Sequence, residues 1–373
     1  MQHKTLAAAL GSLEMRDTML QVVESHSMVL ETVLEAAEVV DVKKLLRLFA
    51  TEVLVDMAVG VELGQLKTQS PSGLQRAMDA VVAAVANRQL LPPFMWKLLR
   101  LLNVGSEAVL ASNAVAMRQE MDRLLSHSLT ARHRRPTLVR MIMAHRPSTS
   151  PFTSELLRDM VLNVVLSGRD AMADTMAAFL VCMATHSEVQ ARVYAEVAGL
   201  GTDITPETLD RLVYLEAAVK ETLRLYPPHP LVRRFALEDV KLADSTRLPR
   251  GTCVVTVAAA LARRTDVWGM DAAHFRPERW IVDEDGGPRL RRVSNFQFNA
   301  LLAGPRACPG ASIAMPQLKL VLARVLSRLS VAVPSTGSHQ IGQGANLHPH
   351  LLRFERREHK VHPEADEPHA IAA

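Results

Sequence analysis

From the first residues to about Met183, apolar side chains recur every three or four positions. Leu46, Leu48, Phe49, Val53, Leu54, Met57 and Ala58 are one such run, and the spacing predicts helices through this half of the chain. The pattern breaks where Gly, Pro and Ser gather, at Ser70-Pro71-Ser72-Gly73, Leu91-Pro92-Pro93 and Arg146-Pro147-Ser148-Thr149-Ser150-Pro151, which predict loops. After the last of these, Thr153 is placed to cap a long helix whose apolar positions (Leu156, Leu157, Met160, Val161, Val164, Val165) continue to Cys182. Ser167-Gly168 falls in its middle. Gly inside a helix costs about 1 kcal/mol relative to Ala, so a compensating neighbour is expected there, such as a ligand lying against the backbone.

A further helix is predicted over residues 206–225, stopped by Tyr226-Pro227-Pro228 because proline cannot continue it. The texture then changes. Residues 240–242 and 251–257 are short, β-branched and separated by turn residues, so they predict strands. Helical spacing returns over 311–329, with Pro316 inside it, which costs about 3 kcal/mol or kinks the helix. Beyond Glu358 the chain is polar. Residues 359–373 are expected to form a disordered tail on a domain of residues 1–358.

Composition narrows the classes. The 373 residues are 48% hydrophobic and 22% charged, which suits a globular chain with a large core. Lys and Arg (43) barely exceed Asp and Glu (39) and are scattered, which disfavours nucleic acid as a partner. The longest apolar stretches, 171–184 and 252–262, fall short of the roughly 18–20 residues of a membrane span, and the first residues lack the apolar run of a signal peptide. Three cysteines without CxxC spacing, and no Asn-x-Ser/Thr acceptor, indicate a reducing compartment. His348, His350, His359, His362 and His369 have no fixed ligand spacing and read as solvent-exposed, and Gly342-x-Gly344 lacks the frame of a nucleotide fingerprint.

The segment with chemical content is Phe298-Asn299-Ala300-Leu301-Leu302-Ala303-Gly304-Pro305-Arg306-Ala307-Cys308-Pro309-Gly310. It puts Cys308 at a helix N-terminus, where free N–H groups and the macrodipole favour a thiolate. Gly304 and Gly310 let the backbone lie flat against a large planar ligand, and Arg306 is placed to reach a carboxylate on it. Alone, Cys308 reads more readily as an inert buried cysteine, the commoner case. Three further patterns precede it. Ser167-Gly168-Arg169-Asp170 lies in the long helix. Glu221-Thr222-Leu223-Arg224 sets an acid and a guanidinium on one helix face, a pair worth about 0.2–0.5 kcal/mol at a surface. Phe275-Arg276-Pro277-Glu278-Arg279-Trp280 adds a second arginine in a rigid, aromatic-flanked loop.

This ordered set resembles the cytochrome P450 family of haem-thiolate monooxygenases over nearly the whole chain. The resemblance implies a mainly α fold with small β-sheets, a helical prism around haem, here lacking the N-terminal helices and first strands. It implies haem b with Cys308 as axial iron ligand, whose electron donation favours O–O cleavage. Glu221, Arg224 and Arg279 would form a buried triad behind the haem, and Arg306, Arg234 and Lys4 would meet its propionates. Gly168 and Asp170 would lie at the oxygen-binding notch, Asp170 in a proton relay. Leu91-Pro92-Pro93-Phe94-Met95-Trp96-Lys97-Leu98-Leu99-Arg100, Gly105-Ser106-Glu107 and Leu156-Leu157-Arg158-Asp159-Met160-Val161-Leu162-Asn163 look like the fatty-acid ω-hydroxylases of plants. They imply a long-chain fatty acid or related lipid as substrate, hydroxylated with O2 and with electrons from NADPH through NADPH-cytochrome P450 reductase, at the endoplasmic reticulum membrane.

The chain departs from the family pattern in four places. Asp170 is followed by Ala171-Met172 where the family carries a relay hydroxyl, and Thr175 is the nearest one onward. Leu301 stands where an aromatic is usual, with Phe298 near it, and Pro316 interrupts the helix after the cysteine. Met1 starts inside the helix that carries propionate-binding residues, leaving His3 and Lys4 to represent them; a chain beginning there is expected to have an open distal side and an unpaired sheet edge. Ala171 keeps a second possibility in view, a haem-binding protein without monooxygenase turnover, either hydroperoxide-rearranging or degenerate. The standard Gly304-x-Arg306-x-Cys308-x-Gly310 spacing favours monooxygenase ancestry. A helical scaffold in which these motifs are relics is the third.

Overall fold

A computed structural model describes residues 2–130, 135–146, 152–199, 205–284, 286–334 and 351–357. The loop 147–151, the histidines from His348 onward, Gly342-x-Gly344 and the tail 359–373 lie outside the described residues. The first half is helical, as its periodicity predicts. α1 (Gln2–Leu10) and α2 (Leu13–Ala36) are separated at Gly11-Ser12, where the Ser12 hydroxyl accepts from Met15 N–H and starts the second helix. A short strand β1 (Val40–Asp41) runs into α3 (Val42–Val59), capped by the Asp41 carboxylate on Lys44 N–H and ended by Gly60 at φ 73°. Beyond its first turn α3 is apolar nearly all round and is buried nearly all round.

α4 (Gln65–Thr68), α5 (Gly73–Leu90), α6 (Pro93–Leu102), α7 (Gly105–Thr130) and α8 (Leu138–Ala144) follow. Their breaks fall at the 70–73 and 91–93 clusters. α9 (Ser154–Thr185) is the expected long helix, with Thr153 accepting from Leu156 N–H as its cap, and its 32 residues span about 48 Å. It packs along α3, so the two helices form the axis of the core.

α10 (Ser187–Ala198) leads to α11 (Pro206–Arg211) and α12 (Val213–Leu225). The single helix predicted over 206–225 is therefore two. The break at Leu212 has a tertiary cause: the Glu196 carboxylate of α10 accepts from Tyr214 and Leu215 N–H, both at 2.8 Å, and starts α12 afresh. Strands β2 (Leu231–Phe235), β3 (Val240–Lys241), β4 (Arg247–Leu248) and β5 (Cys253–Val257) come next. β2 pairs antiparallel with β5, Leu231 opposite Val257, and β3 with β4. The β2–β5 sheet has two strands, and Leu231, Phe235, Val254, Val255 and Val257 are exposed on it.

α13 (Ala258–Leu261) and α14 (Thr265–Trp268) precede a 3-10 turn at Pro277–Trp280 and the hairpin of β6 (Ile281–Glu284) with β7 (Gly287–Leu290). A second 3-10 turn, Gly304–Arg306, opens the cysteine loop. α15 (Ala311–Arg328) then runs as one helix through Pro316. β8 (Leu329–Ala332) and β9 (Leu351–Arg356) complete a sheet of order β1-β9-β8.

Candidate functional site

The site is built outward from one carboxylate. Glu221, on α12, has no exposed surface and accepts five hydrogen bonds: from Arg224 Nε and Nη2 (2.8 Å each), Arg279 Nε (2.8 Å), Arg276 N–H (2.9 Å) and Trp280 Nε1 (2.9 Å). The i, i+3 spacing brings Arg224 alongside it, and the 3-10 turn carries Arg279 and Trp280 over it. The arginines spend their other N–H groups on carbonyls of the chain that wraps the cluster. Arg224 reaches those of Ala262, Ala272 and His274, and Arg279 those of Trp268, Asp271 and His274. Burial alone would lower the Arg279 pKa, but the hydrogen bonds and charges of Glu221 and Asp271 outweigh it and raise the value. Sequence reasoning finds Glu221, Arg224 and Arg279. It misses the Trp280 indole and the Arg276 backbone as donors, although a tryptophan next to a buried arginine needs a partner for its own N–H.

Trp280 connects this cluster to the cysteine loop, its ring meeting Phe298 edge-on at 4.8 Å. Phe298 thus packs on the clamp, and Leu301, in the position usual for an aromatic, accepts Cys308 N–H through its carbonyl at 2.9 Å. Cys308 is half-buried two residues before Gly310, the N-cap of α15, and its carbonyl accepts from Ala311 N–H. Gly304 holds φ 74°, and a side chain there would meet nothing within 4 Å, so the loop keeps one face open. A Cβ at Gly310 would stand 3.9 Å from the Cys308 sulfur. α1 braces the same loop: His3 Nε2 donates to the Ala307 carbonyl at 3.0 Å, and Ser312 donates to that of Leu10. Of the other cysteines, Cys182 is buried and burial pushes its thiol pKa up, while Cys253 lies exposed on β5. Arg306 and Lys4 are exposed with no side-chain partner among the described residues; Arg234, on β2, donates only to its neighbour's carbonyl.

On α9, a Cβ at Gly168 would lie 3.1 Å from Leu54 Cδ1, so on that side α3 packs against the notch. Asp170 is turned the same way. Arg169 Nε and Nη2 donate to its two oxygens at 3.1 Å each, and Arg47 Nε of α3 stands 3.5 Å away. Arg169 is itself 1% exposed and 2.8 Å from Asp79 on α5. Sequence offers no signal for Arg47 or Asp79, because only the helix packing brings them in. Ala171 is half-buried, and the Thr175 hydroxyl is buried and donates to the Ala171 carbonyl at 2.6 Å.

Residues 1–352 match the model of one protein family, described as cytochrome P450. The chain belongs to the cytochrome P450 family. It is 32% identical over 310 residues to cytochrome P450 CYP94D108 of Paris polyphylla, which covers 80% of this chain and 61% of that protein. It is 30% identical over 352 residues to cytochrome P450 94C1 of Arabidopsis thaliana (90% and 69%) and 29% identical over 374 residues to cytochrome P450 704B1 of the same plant (86% and 70%). The chain spans 61% and 53% of the lengths of CYP94D108 and CYP94D109 of Paris polyphylla. Cytochrome P450 membership implies haem, and the residues present fit it. Cys308 is free and half-exposed, the Gly304 turn leaves open space, and Arg306 and Lys4 are cations without a counter-charge among the described residues. None of the described helices is long and apolar enough to cross a membrane.

Proposed function

We propose that this cytochrome P450 chain carries the haem site of a monooxygenase that inserts one oxygen atom from O2 into a lipophilic substrate, a long-chain fatty acid or related lipid. The observation that carries the proposal is the half-exposed Cys308 in a loop held by Leu301, His3 and, through Phe298 and Trp280, by the Glu221 clamp. Haem bound there supplies oxygen activation, with electrons from NADPH delivered by a reductase at the endoplasmic reticulum surface. The chain's own residues do the rest. Cys308 would offer its thiolate to the iron, Gly304 and Gly310 would leave room for the ring, and Arg306, Arg234 and Lys4 would neutralise the ring's carboxylates. Asp170 holds an acid on the distal helix. Ala171 beside it supplies no hydroxyl.

The substrate class rests on the 91–107 and 156–163 segments and on the similarity to 94- and 704-type plant proteins. Its test is incubation of the haem-loaded chain with reductase, NADPH, isotope-labelled O2 and a long-chain fatty acid. One labelled oxygen in a hydroxylated product is expected; haem-loaded chain that consumes NADPH and yields no product overturns it. The second reading, haem binding without monooxygenase turnover, is favoured by Ala171 and by the engagement of the Thr175 hydroxyl with a backbone carbonyl. Ala171→Thr is expected to raise the share of NADPH electrons recovered in product, and an unchanged share supports that second reading.

A further inference from the structure

α3 and α5 enclose a groove of about 260 Å³, and none of its lining residues belongs to the cysteine loop or to the Glu221 clamp. Lys43, Lys44 and Arg47 line it from α3, Gln75 and Asp79 from α5, and Pro71 from the loop between α4 and α5. The i, i+4 spacing of Lys43 with Arg47, and of Gln75 with Asp79, puts each pair on one helix face. The walls are held from behind. The Glu52 carboxylate accepts from Gly64 and Gln65 N–H at 2.8 and 2.9 Å. The Gln65 amide donates to the Leu48 carbonyl (2.8 Å) and accepts from Ser72 N–H (3.1 Å), and the Ser72 hydroxyl accepts from Gln75 N–H to start α5. The groove is therefore formed in advance of any ligand, as small-molecule sites usually are.

Its lining is rich in polar atoms without partners. Gln75 is 4% exposed, yet its Oε1 is buried with no hydrogen-bond partner, and Arg47 Nε and Asp79 Oδ1 are in the same condition. A buried polar atom in that state costs stability unless something else meets it. Here one donor and two acceptors, from two helices, border a single cavity.

Charge indicates the ligand. Three cations line the groove against two acids, and both acids are engaged: Asp41 caps α3 through Lys44 N–H at 3.0 Å, and Asp79 lies 2.8 Å from Arg169. Lys43 and Arg47 stand 3.3 and 3.5 Å from Asp174 and Asp170, and Lys44 has no counter-charge among the described residues. Among the described residues no group of three or more His, Cys, Asp or Glu is placed to hold a metal ion, so these acids do not make a cation site. A phosphate group suits Lys44 and Arg47, which can share its oxygens through charge-assisted hydrogen bonds. Hydroxyls on the same ligand would donate to Gln75 Oε1 and Asp79 Oδ1. The volume is just under the roughly 300–1,000 Å³ of small-molecule sites and calls for a compact ligand. We propose that this groove binds a small hydroxylated phosphomonoester, of the size of a sugar phosphate. The inference needs no haem and no turnover, so it stands or falls separately from the proposed function.

The test is isothermal titration calorimetry of the full chain with glucose 6-phosphate, inorganic phosphate and glucose. One-site binding of glucose 6-phosphate is expected, at least about tenfold tighter than that of inorganic phosphate, and no binding of glucose. Lys44→Gln/Arg47→Gln, checked for the parent circular dichroism, is expected to weaken glucose 6-phosphate at least about tenfold. Gln75→Leu replaces an unpartnered amide with an apolar side chain of similar size. Its unfolding midpoint is expected to hold or rise while the preference over inorganic phosphate disappears, a combination that a merely structural glutamine would not give. No glucose 6-phosphate binding by the folded parent overturns the proposal, as does undiminished binding by the Lys44→Gln/Arg47→Gln chain. Equal binding of the two phosphates by the parent, or a full preference kept by Gln75→Leu, overturns the assignment of a hydroxylated ligand.

Discussion

Glu221 and Asp170 are both acids on helices beside an arginine, and their surroundings differ throughout. Glu221 is sealed from solvent, and its two arginine partners, Arg224 and Arg279, are themselves held by carbonyls of the wrapping chain. Asp170 is 20% exposed, and the arginines and acid around it are incompletely bonded: Arg47 Nε, Arg169 Nη1 and Asp79 Oδ1 are buried without a protein hydrogen bond, although Arg169 and Asp79 lie at ion-pair distance. Buried polar atoms in that condition call for water. The clamp is thus sealed at Glu221 itself, while Trp268 Nε1 and Asp271 Oδ2 around it are also buried without a protein hydrogen bond. On the α9 side, the surroundings of Asp170 are partly exposed and incompletely bonded within the protein.

The comparison is broken most directly at Glu221. Glu221→Ala leaves two buried guanidinium groups without their counter-charge and is expected to destabilise the chain by about 3–5 kcal/mol, measured by urea unfolding. A loss below about 1 kcal/mol would mean that the carbonyl shell, not the carboxylate, holds the clamp.

Asp56 gives an intermediate case and a pH dependence. It is buried between His26 (3.0 Å) and Arg135, and burial raises its pKa, but the His26 hydrogen bond and the Arg135 charge outweigh it and leave the carboxyl below its ordinary 3.8. A folded pKa below the unfolded one contributes stability that is present above 3.8 and is lost as the pH falls through the depressed value. Asp56→Asn is therefore expected to lower the unfolding midpoint at neutral pH and to flatten its fall in acid. An unchanged acid limb would place the acid sensitivity elsewhere.

Asp170→Asn should cost less, no more than about 1 kcal/mol, because Asp170 is partly exposed. A loss comparable with that of Glu221→Ala would erase the distinction between the two sides. Gly168→Ala is expected to change stability least. The gain in helix propensity, about 1 kcal/mol, is set against a 3.1 Å contact with the end of a flexible leucine, and the net effect in unfolding measurements should stay below about 1 kcal/mol.

What was legible in the sequence follows from how local each cause is. Helix periodicity, the Thr153 cap and the glycine and proline breaks are local, and the helical half was readable from them. The division of 206–225 at Leu212 was not, because it depends on Glu196 from another helix. β2 was missed because Leu231-Val232-Arg233-Arg234-Phe235 lacks clean alternation and its pairing with β5 comes from across a long loop. In the site, Glu221, Arg224, Arg279 and Cys308 were legible through the ordered set of motifs and the family it resembles, each motif being weak alone. The Trp280 and Arg276 donors, the Leu54 neighbour of Gly168 and the Arg47–Asp79 surroundings of Asp170 exist only once the helices are packed.

The most direct test of a buried clamp presenting a thiolate is the carbon monoxide difference spectrum of the reduced chain, produced with a haem precursor, beside Cys308→Ala and Glu221→Ala. The account predicts the red-shifted Soret band of thiolate-ligated haem in the parent, its absence in Cys308→Ala, and its loss with haem content in Glu221→Ala. A folded parent chain that binds no haem, or the same band in Cys308→Ala, would contradict it.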